Sequence, residues 1–248
     1  MDRTAIIICS YNMPEYTDNL VEHIQETVKL PYDLIVFDNG SDLVPPSQYT
    51  THSIDKNIQM VPGFMYALRQ ATGTYDAYWL LTTSCRFDYN DKRDPLRILL
   101  QVFDVDPLAY AVQPSLNIDF GAWKVLLAPR TPPVPRRVWG LELVCPVYRA
   151  KYFDELGRWN EKLIRGWGIS AESCYFARRA GYHIYTHDGY VMNKDTWVGY
   201  KMDRMNETAK DRCRLAAEEY DREFLPKYGP KYLDFLNYSH RETNRGDY

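Results

Sequence analysis

The chain has 248 residues, of which 45% are hydrophobic and 25% charged, with a formal net charge of −3. That is ample for one large domain with a sizeable core and excludes disorder over the bulk of it. The weak negative charge argues against non-specific nucleic-acid binding, and no apolar run approaches the ~20 residues that cross a bilayer, so no transmembrane segment is expected. Ala5 to Cys9 is too short an apolar stretch for a secretory leader and reads as an opening strand.

Thr4 to Ser10 (TAIIICS) is a nearly unbroken β-branched run, as in a strand buried on both faces. Pro14 then opens a helix on which Tyr16, Leu20, Ile24 and Val28 recur at helical spacing. A second buried strand, Asp33 to Asp38, stops at the turn Asn39-Gly40-Ser41-Asp42. Gly63 to Ala71 reads as helix and Tyr75 to Leu81 as a third buried strand. Leu108 to Gln113 is a strand, Pro129 to Pro135 an irregular surface loop, and Trp139 to Tyr148 resumes a strand pattern. Ser170 to Ala180 is a helix, with Ser170 as its cap and Gly181 as its stop. His183 to His187 and Tyr190 to Asn193 are short strands, and a charged helix runs from about Asp203 to Phe224, before a Pro-Lys-Tyr-Gly-Pro break.

Alternating strands and helices with short connections imply an α/β fold with a Rossmann-type, mainly parallel sheet flanked by helices. Ligands of such sheets bind beyond the carboxyl ends of the strands. Here those ends carry Ser10-Tyr11-Asn12, Asp38-Asn39 and Thr82-Thr83-Ser84, all polar, which points to a nucleotide or similar ligand. Asp38, before a turn, has two readings: a ligand for a base or ribose, or a cap on the turn backbone. The five cysteines are scattered, without zinc-ligand spacing, and Cys9 and Cys145 read as small core residues. A reduced, cytoplasmic protein is expected. Tyrosine is the outlier at 21 residues, and its flat face and hydroxyl suit stacking on sugars or bases as well as a core.

Ala5 to Asn12 (AIIICSYN), Leu34 to Asp42 (LIVFDNGSD) and the Gly63 helix leading to Tyr78–Ser84 (YWLLTTS) resemble the family 2 glycosyltransferases of the GT-A fold. So do the later segments: Phe153-Asp154-Glu155-Leu156-Gly157 with Trp159-Asn160-Glu161, then Gly166-Trp167-Gly168 and a helix ending Ala177-Arg178-Arg179-Ala180-Gly181-Tyr182. Together they span about residues 4–195. The resemblance implies transfer of a sugar from a nucleotide-sugar donor to a carbohydrate acceptor, with inversion, in a GT-A-like domain over residues 1–200. Residues 1–105 would form its nucleotide-binding half and 106–200 its acceptor-side half, with 201–248 a C-terminal helical extension. It also implies that Asp38 contacts the base, with Ser10, Tyr11 and Asn12 beside it.

Two departures follow. The family's metal-binding Asp-x-Asp is replaced by Thr82-Thr83-Ser84, and its metal-ligating His, twelve residues after Gly181, by Asn193. Hydroxyls and amides are poor substitutes for carboxylate and imidazole. We therefore expect no cofactor and no divalent metal; Asp88 and Asp91 are poorly spaced for a displaced metal site. A cationic clamp must then hold the diphosphate, and Lys194 leads Arg86, Lys201 and Arg204 as candidates, with Thr82 and Ser84 on ribose or phosphate oxygens. The family's Glu-Asp base pair is also missing: Ile169-Ser170 stand there, and Glu172 is the nearest carboxylate. Glu172 is the expected base, ahead of Asp119 and Glu142, with favourable interaction at a helix N-terminus as its other role. Trp139, Trp167 and Gly168 mark the acceptor side, with Trp159 and Trp197 nearby. The alternative is a catalytically inert GT-A-like protein binding a nucleotide sugar, a glycan or a partner protein. A nucleotidyltransferase would need a Gly-rich phosphate loop after the first strand, which Ser10 to Pro14 is not.

Overall fold

The structure, a computed structural model, describes residues 3–117, 126–195, 204 and 207–232. Strands β1 (Thr4–Ser10), β2 (Tyr32–Asp38) and β4 (Ala77–Thr82) are parallel neighbours, with β3 (His52–Ser53) on the outer side of β2. The sheet then continues through β8 (Val147–Arg149), β6 (Ala109–Asn117), β9 (His183–Lys194) and β5 (Cys85–Phe87), giving the order β3-β2-β1-β4-β8-β6-β9-β5. β8 runs antiparallel to both its neighbours, and β6 pairs parallel with β9. β7 (Pro135–Arg137) pairs antiparallel with β9 off this path. The fold is α/β, with a mainly parallel central sheet between helices.

The unbroken apolar runs are explained by burial on both faces. Ile7 points into one core with Phe37 and Leu80; Ile6 and Ile8 point into the other with Val36 and Trp79. Helix α1 (Pro14–Thr27) covers the second face with Leu20, Val21 and Ile24, beside α3 (Pro95–Val105) with Leu96, Leu99 and Leu100. The Asp94-Pro95 pair starts α3, an element not expected from the sequence: Asp94 accepts a hydrogen bond from Arg97 N, and Pro95 sits in the first turn. Helices α2 (Met60–Gln70), α4 (Ala150–Glu155) and α5 (Ile169–Arg179) pack on the first face.

Four expectations change. Only 147–149 of the segment Trp139 to Tyr148 is strand; before it the chain is a buried loop held to β4 by Thr82 N–H to Val144 O (2.8 Å) and Leu80 N–H to Pro146 O (3.0 Å). Its apolar alternation reflects burial beside a strand, not regular pairing. The two short strands expected over 183–193 are one, β9: Asp188-Gly189 looks like a turn but forms an irregularity, where pairing skips from Pro114↔His187 to Ser115↔Val191. Pro135 lies in an edge strand, not only in a loop. α5 is capped not by Ser170 but by Gly168, at φ +83°. A Cβ there would lie 2.2 Å from the Tyr220 ring, so glycine suits both the left-handed backbone and the close packing.

The last described helix, α6 (Ala209–Tyr228), starts at Thr208, whose side chain accepts from Asp211 N, and continues through Pro226 to Gly229. It lies against the domain, with Phe224 fully buried in the first core. No helix among the described residues is long and apolar enough to cross a membrane. All five cysteines are free; Cys145 is buried as expected, whereas Cys9 is only partly so.

Candidate functional site

The carboxyl ends of β1, β2 and β4 open into a cleft of about 240 Å³. One wall comes from these strand ends: Cys9 and Ser10 closing β1 with Tyr11 after them, Asn39 after β2, and Thr82 closing β4 with Thr83 and Ser84 after it. Asn57, Gln59 and Met60 close that side. Asn39 ties them together: its amide donates to Asn57 Oδ1 (3.2 Å) and Gln59 O (3.0 Å), and its oxygen accepts from Ile58 N. Gly63 makes this possible, because a Cβ there would lie 2.9 Å from Asn39 Nδ2 and 3.1 Å from Cys9 Sγ. Burial, then the Asp38 charge, pushes the Cys9 thiol far up, so it is neutral.

The opposite wall is charged. It comprises Glu142, Leu143 and Val144 from the loop before β8, Arg165, Gly166 and Trp167 before α5, Lys194 at the end of β9 with Asp195 after it, and Arg212 from α6. Arg165 pairs with Glu207 (2.5 Å) and with Glu219, and these bonds hold its guanidinium above its ordinary pKa. Arg212 lies 3.8 Å from Glu207. Burial raises the Glu142 carboxyl, and the Lys194 charge draws it partly back.

Of the expected donor ligands, Ser10, Tyr11, Thr82, Thr83, Ser84 and Lys194 line the cleft. Three do not. Asp38 is 3% exposed and accepts from Ser41 Oγ (2.5 Å) and Ser41 N (3.0 Å), so it fills the turn-capping role. Asn12, fully buried at φ +55°, staples two loops. Its amide donates to Asp42 Oδ1 and Arg204 O, and its oxygen accepts from Asp42 N and Leu43 N, all at 3.0 Å. Arg86 turns outward and pairs with Asp195 at 2.6 Å. Arg204 is likewise engaged, donating to Asn12 O and pairing with Glu15 at 2.8 Å.

The expected base is displaced as well. Glu172 lies in a separate cavity of about 170 Å³. It accepts from Lys227 Nζ (3.0 Å), Tyr228 Oη (3.0 Å) and Asn160 Nδ2 (3.2 Å). The helix register that makes it the nearest carboxylate turns it toward α6 instead of the cleft. On the acceptor side Trp167 lines the cleft and is 44% exposed. Trp139 does not line it, and its carbonyl accepts from Arg178; Gly168 packs under α6; Trp159 is core, donating to Tyr148 Oη. Asp119, Trp197 and Lys201 lie outside the described residues.

Sequence reasoning missed Arg165 and Arg212. Arg165 immediately precedes the Gly166-Trp167-Gly168 motif, a signal that was available, whereas Arg212 is one cation among many on α6. Among the described residues the cleft offers a divalent cation no more than two carboxylates. Its carboxylates are Glu142 and Asp195, the second of which is paired with Arg86, and Asn193 Oδ1 accepts from Asn117. Among the described residues no three His, Cys, Asp or Glu side chains are grouped to hold a metal.

No protein-family model matches the sequence, and no curated protein matches it. Solved structures do. GalNAc-T7, in a crystal structure with UDP, GalNAc and Mn2+, aligns at a TM-score of 0.65 and 12% identity, covering 98% of this chain and 51% of that one. The chain thus spans about half of that protein's length. The mannosyltransferase PcManGT from Pyrobaculum calidifontis, in complex with GDP-Man and Mn2+, aligns at a TM-score of 0.57 and 15% identity, over 99% of this chain and 76% of that one. At these identities the likeness establishes the fold, which is that of the GT-A glycosyltransferases.

Proposed function

We propose that the cleft binds a nucleotide-sugar donor and that the protein transfers the sugar to a carbohydrate hydroxyl, with inversion and without a divalent metal. The observation that carries this reading is the composition of the cleft: hydroxyls and amides at three strand ends face the cations Lys194, Arg165 and Arg212. A nucleotide sugar has the same two parts, an uncharged base and ribose joined to a dianionic diphosphate. Ser10, Tyr11 and the Thr82 to Ser84 turn take the nucleoside side. Asp38 and Asn12 act indirectly, by holding the loops that carry Tyr11 and Asn39. Lys194 leads the clamp on the departing diphosphate, whose developing charge it stabilises in place of a metal. Trp167 offers an aromatic face to the acceptor.

UDP and GDP-Man in the two structural neighbours support a nucleotide-sugar ligand. Both neighbours also hold Mn2+, and the metal-free reading rests instead on the donor set described above. One observation favours an inert binding protein as the second reading: Arg165 is already paired with two carboxylates.

Calorimetry with UDP, GDP, dTDP and CDP tests the reading, each with Mn2+ and again with EDTA. Binding that survives EDTA is expected and names the base. Binding only with Mn2+ removes the metal-free part, and no binding to any of the four removes the donor site itself.

A further inference from the structure

We infer that Glu142, from the loop before β8, is the general base of the transfer; this rests on the donor-site reading above. The acidic side chains in and around the cleft are nearly all engaged. Asp195 pairs with Arg86, Glu207 and Glu219 with Arg165, Asp38 with Ser41, Asp42 with Tyr11 and Asn12, and Glu172 with Lys227, Tyr228 and Asn160. Glu142 lines the cleft, and no hydrogen bond or ion pair among the described residues takes up its oxygens. It is half-buried and lines the same cavity as the clamp residue Lys194 and the exposed Trp167. Its loop is fixed, because Val144 O accepts from both Thr82 N and Thr82 Oγ1 at the end of β4.

The surroundings suit proton transfer. The charged and titratable groups that line the cleft with Glu142 are Lys194 at the end of β9 and Asp195 after it, Arg165 before α5, Arg212 on α6, and Cys9 and Tyr11 at the end of β1, with Cys145 further along the Glu142 loop. Burial raises the carboxyl above its ordinary pKa, which makes the carboxylate a stronger base than a solvated one, and the Lys194 charge offsets part of that rise. In the step, a Glu142 oxygen takes the proton of the acceptor hydroxyl as that oxygen bonds to the anomeric carbon. The bond from the anomeric carbon to the phosphate oxygen breaks on the opposite face, and its electron pair leaves with the nucleoside diphosphate beside Lys194. Water can replace the acceptor in the same geometry, which makes donor hydrolysis a usable readout.

The test compares wild type with the near-isosteric Glu142→Gln. It measures nucleoside diphosphate release from UDP-glucose, UDP-N-acetylglucosamine and GDP-mannose, together with calorimetric affinity for UDP and GDP and the melting temperature. The expected result is a turnover loss of about 10²–10⁴-fold, affinity equal to or tighter than wild type, and an unchanged melt. The acid limb of the wild-type pH–rate profile should vanish in the variant. Equal turnover in both proteins overturns the assignment. So does a wild type that binds the diphosphate but releases none from any donor, a result that leaves the binding site standing. Absence of nucleotide binding overturns the donor-site reading and the base together.

Discussion

The two walls of the cleft are built in different ways. The strand-end wall is neutral, made of hydroxyls, amides and one tyrosine, and its positions follow from the backbone of β1, β2 and β4 and the turns that leave them. The opposite wall carries Glu142, Arg165, Lys194, Asp195 and Arg212, four of which sit on loops or at a strand end and one on a helix docked from the end of the described chain. Hydrogen bonds within the sheet fix the first wall, whereas ion pairs such as Arg165–Glu207 and Arg86–Asp195 fix much of the second. Neutral groups in a rigid frame suit recognition of a base and ribose. Charges whose partners can be exchanged suit a leaving group that enters and departs. The first wall should therefore respond to mutation mainly through stability, and the second through affinity and salt dependence.

The largest effect should come from the staple behind the neutral wall. Asn12→Ala removes four hydrogen bonds from a fully buried site and puts a β-carbon side chain without compensating polar groups at φ +55°, with an expected loss of about 3 kcal/mol. Urea unfolding reads this directly; a loss below about 1 kcal/mol would mean that the loops do not depend on the staple. On the charged wall, Lys194→Met should weaken UDP or GDP binding about 10–100-fold, as for loss of a charge-assisted bond, while the urea midpoint stays put. An effect on stability with affinity intact would reverse the comparison.

Smaller and opposite in sign is Glu207→Gln. It relieves Arg165 and Arg212 of a competing carboxylate, so diphosphate affinity should rise about 3–10-fold in low salt and the gain should shrink as salt screens it. Weaker binding would instead mark Glu207 as a group that holds Arg165 in the correct position. The smallest effect is one of pH. Burial, helped by Lys92, holds His23 on α1 below its ordinary pKa, and burial does the same for His187 on β9. A depressed histidine pKa means that the unfolded chain takes up the proton more readily. Stability is thus fully present above about pH 6.5 and declines as pH falls through the folded values. Melting at pH 7.5 and pH 5.5 should show the decline, and replacing both histidines with glutamine should flatten it.

Much of the frame was legible because its signals are local. A run such as TAIIICS can be little other than a doubly buried strand, and Pro14 and Asn39-Gly40 mark its neighbours' boundaries. The candidate site was half legible. Residues at strand ends, from Ser10 to Ser84, face the cleft because a strand delivers its last residues in a fixed direction. Glu172 misled because sequence distance from a motif says nothing about helical facing: one helix surface meets α6 and another the cleft. Asp38 and Asn12 misled in a related way, since short polar side chains before a turn bond their own neighbours as readily as a ligand.

By itself, then, the sequence determined the alternation of buried strands and helices, the parallel core of the sheet and the polar strand ends, because these depend on hydrophobic periodicity and turn chemistry within a few residues. Only the tertiary structure decided which charges face one another. Arg165 and Glu219 are 54 residues apart in the chain, and Arg86 and Asp195 are 109 apart. Pairing over such distances is set by how β9 and α6 dock, and that docking determines which of the described carboxylates are engaged, while Glu142 lines the cleft without a hydrogen-bonding or ion-pair partner among the described residues.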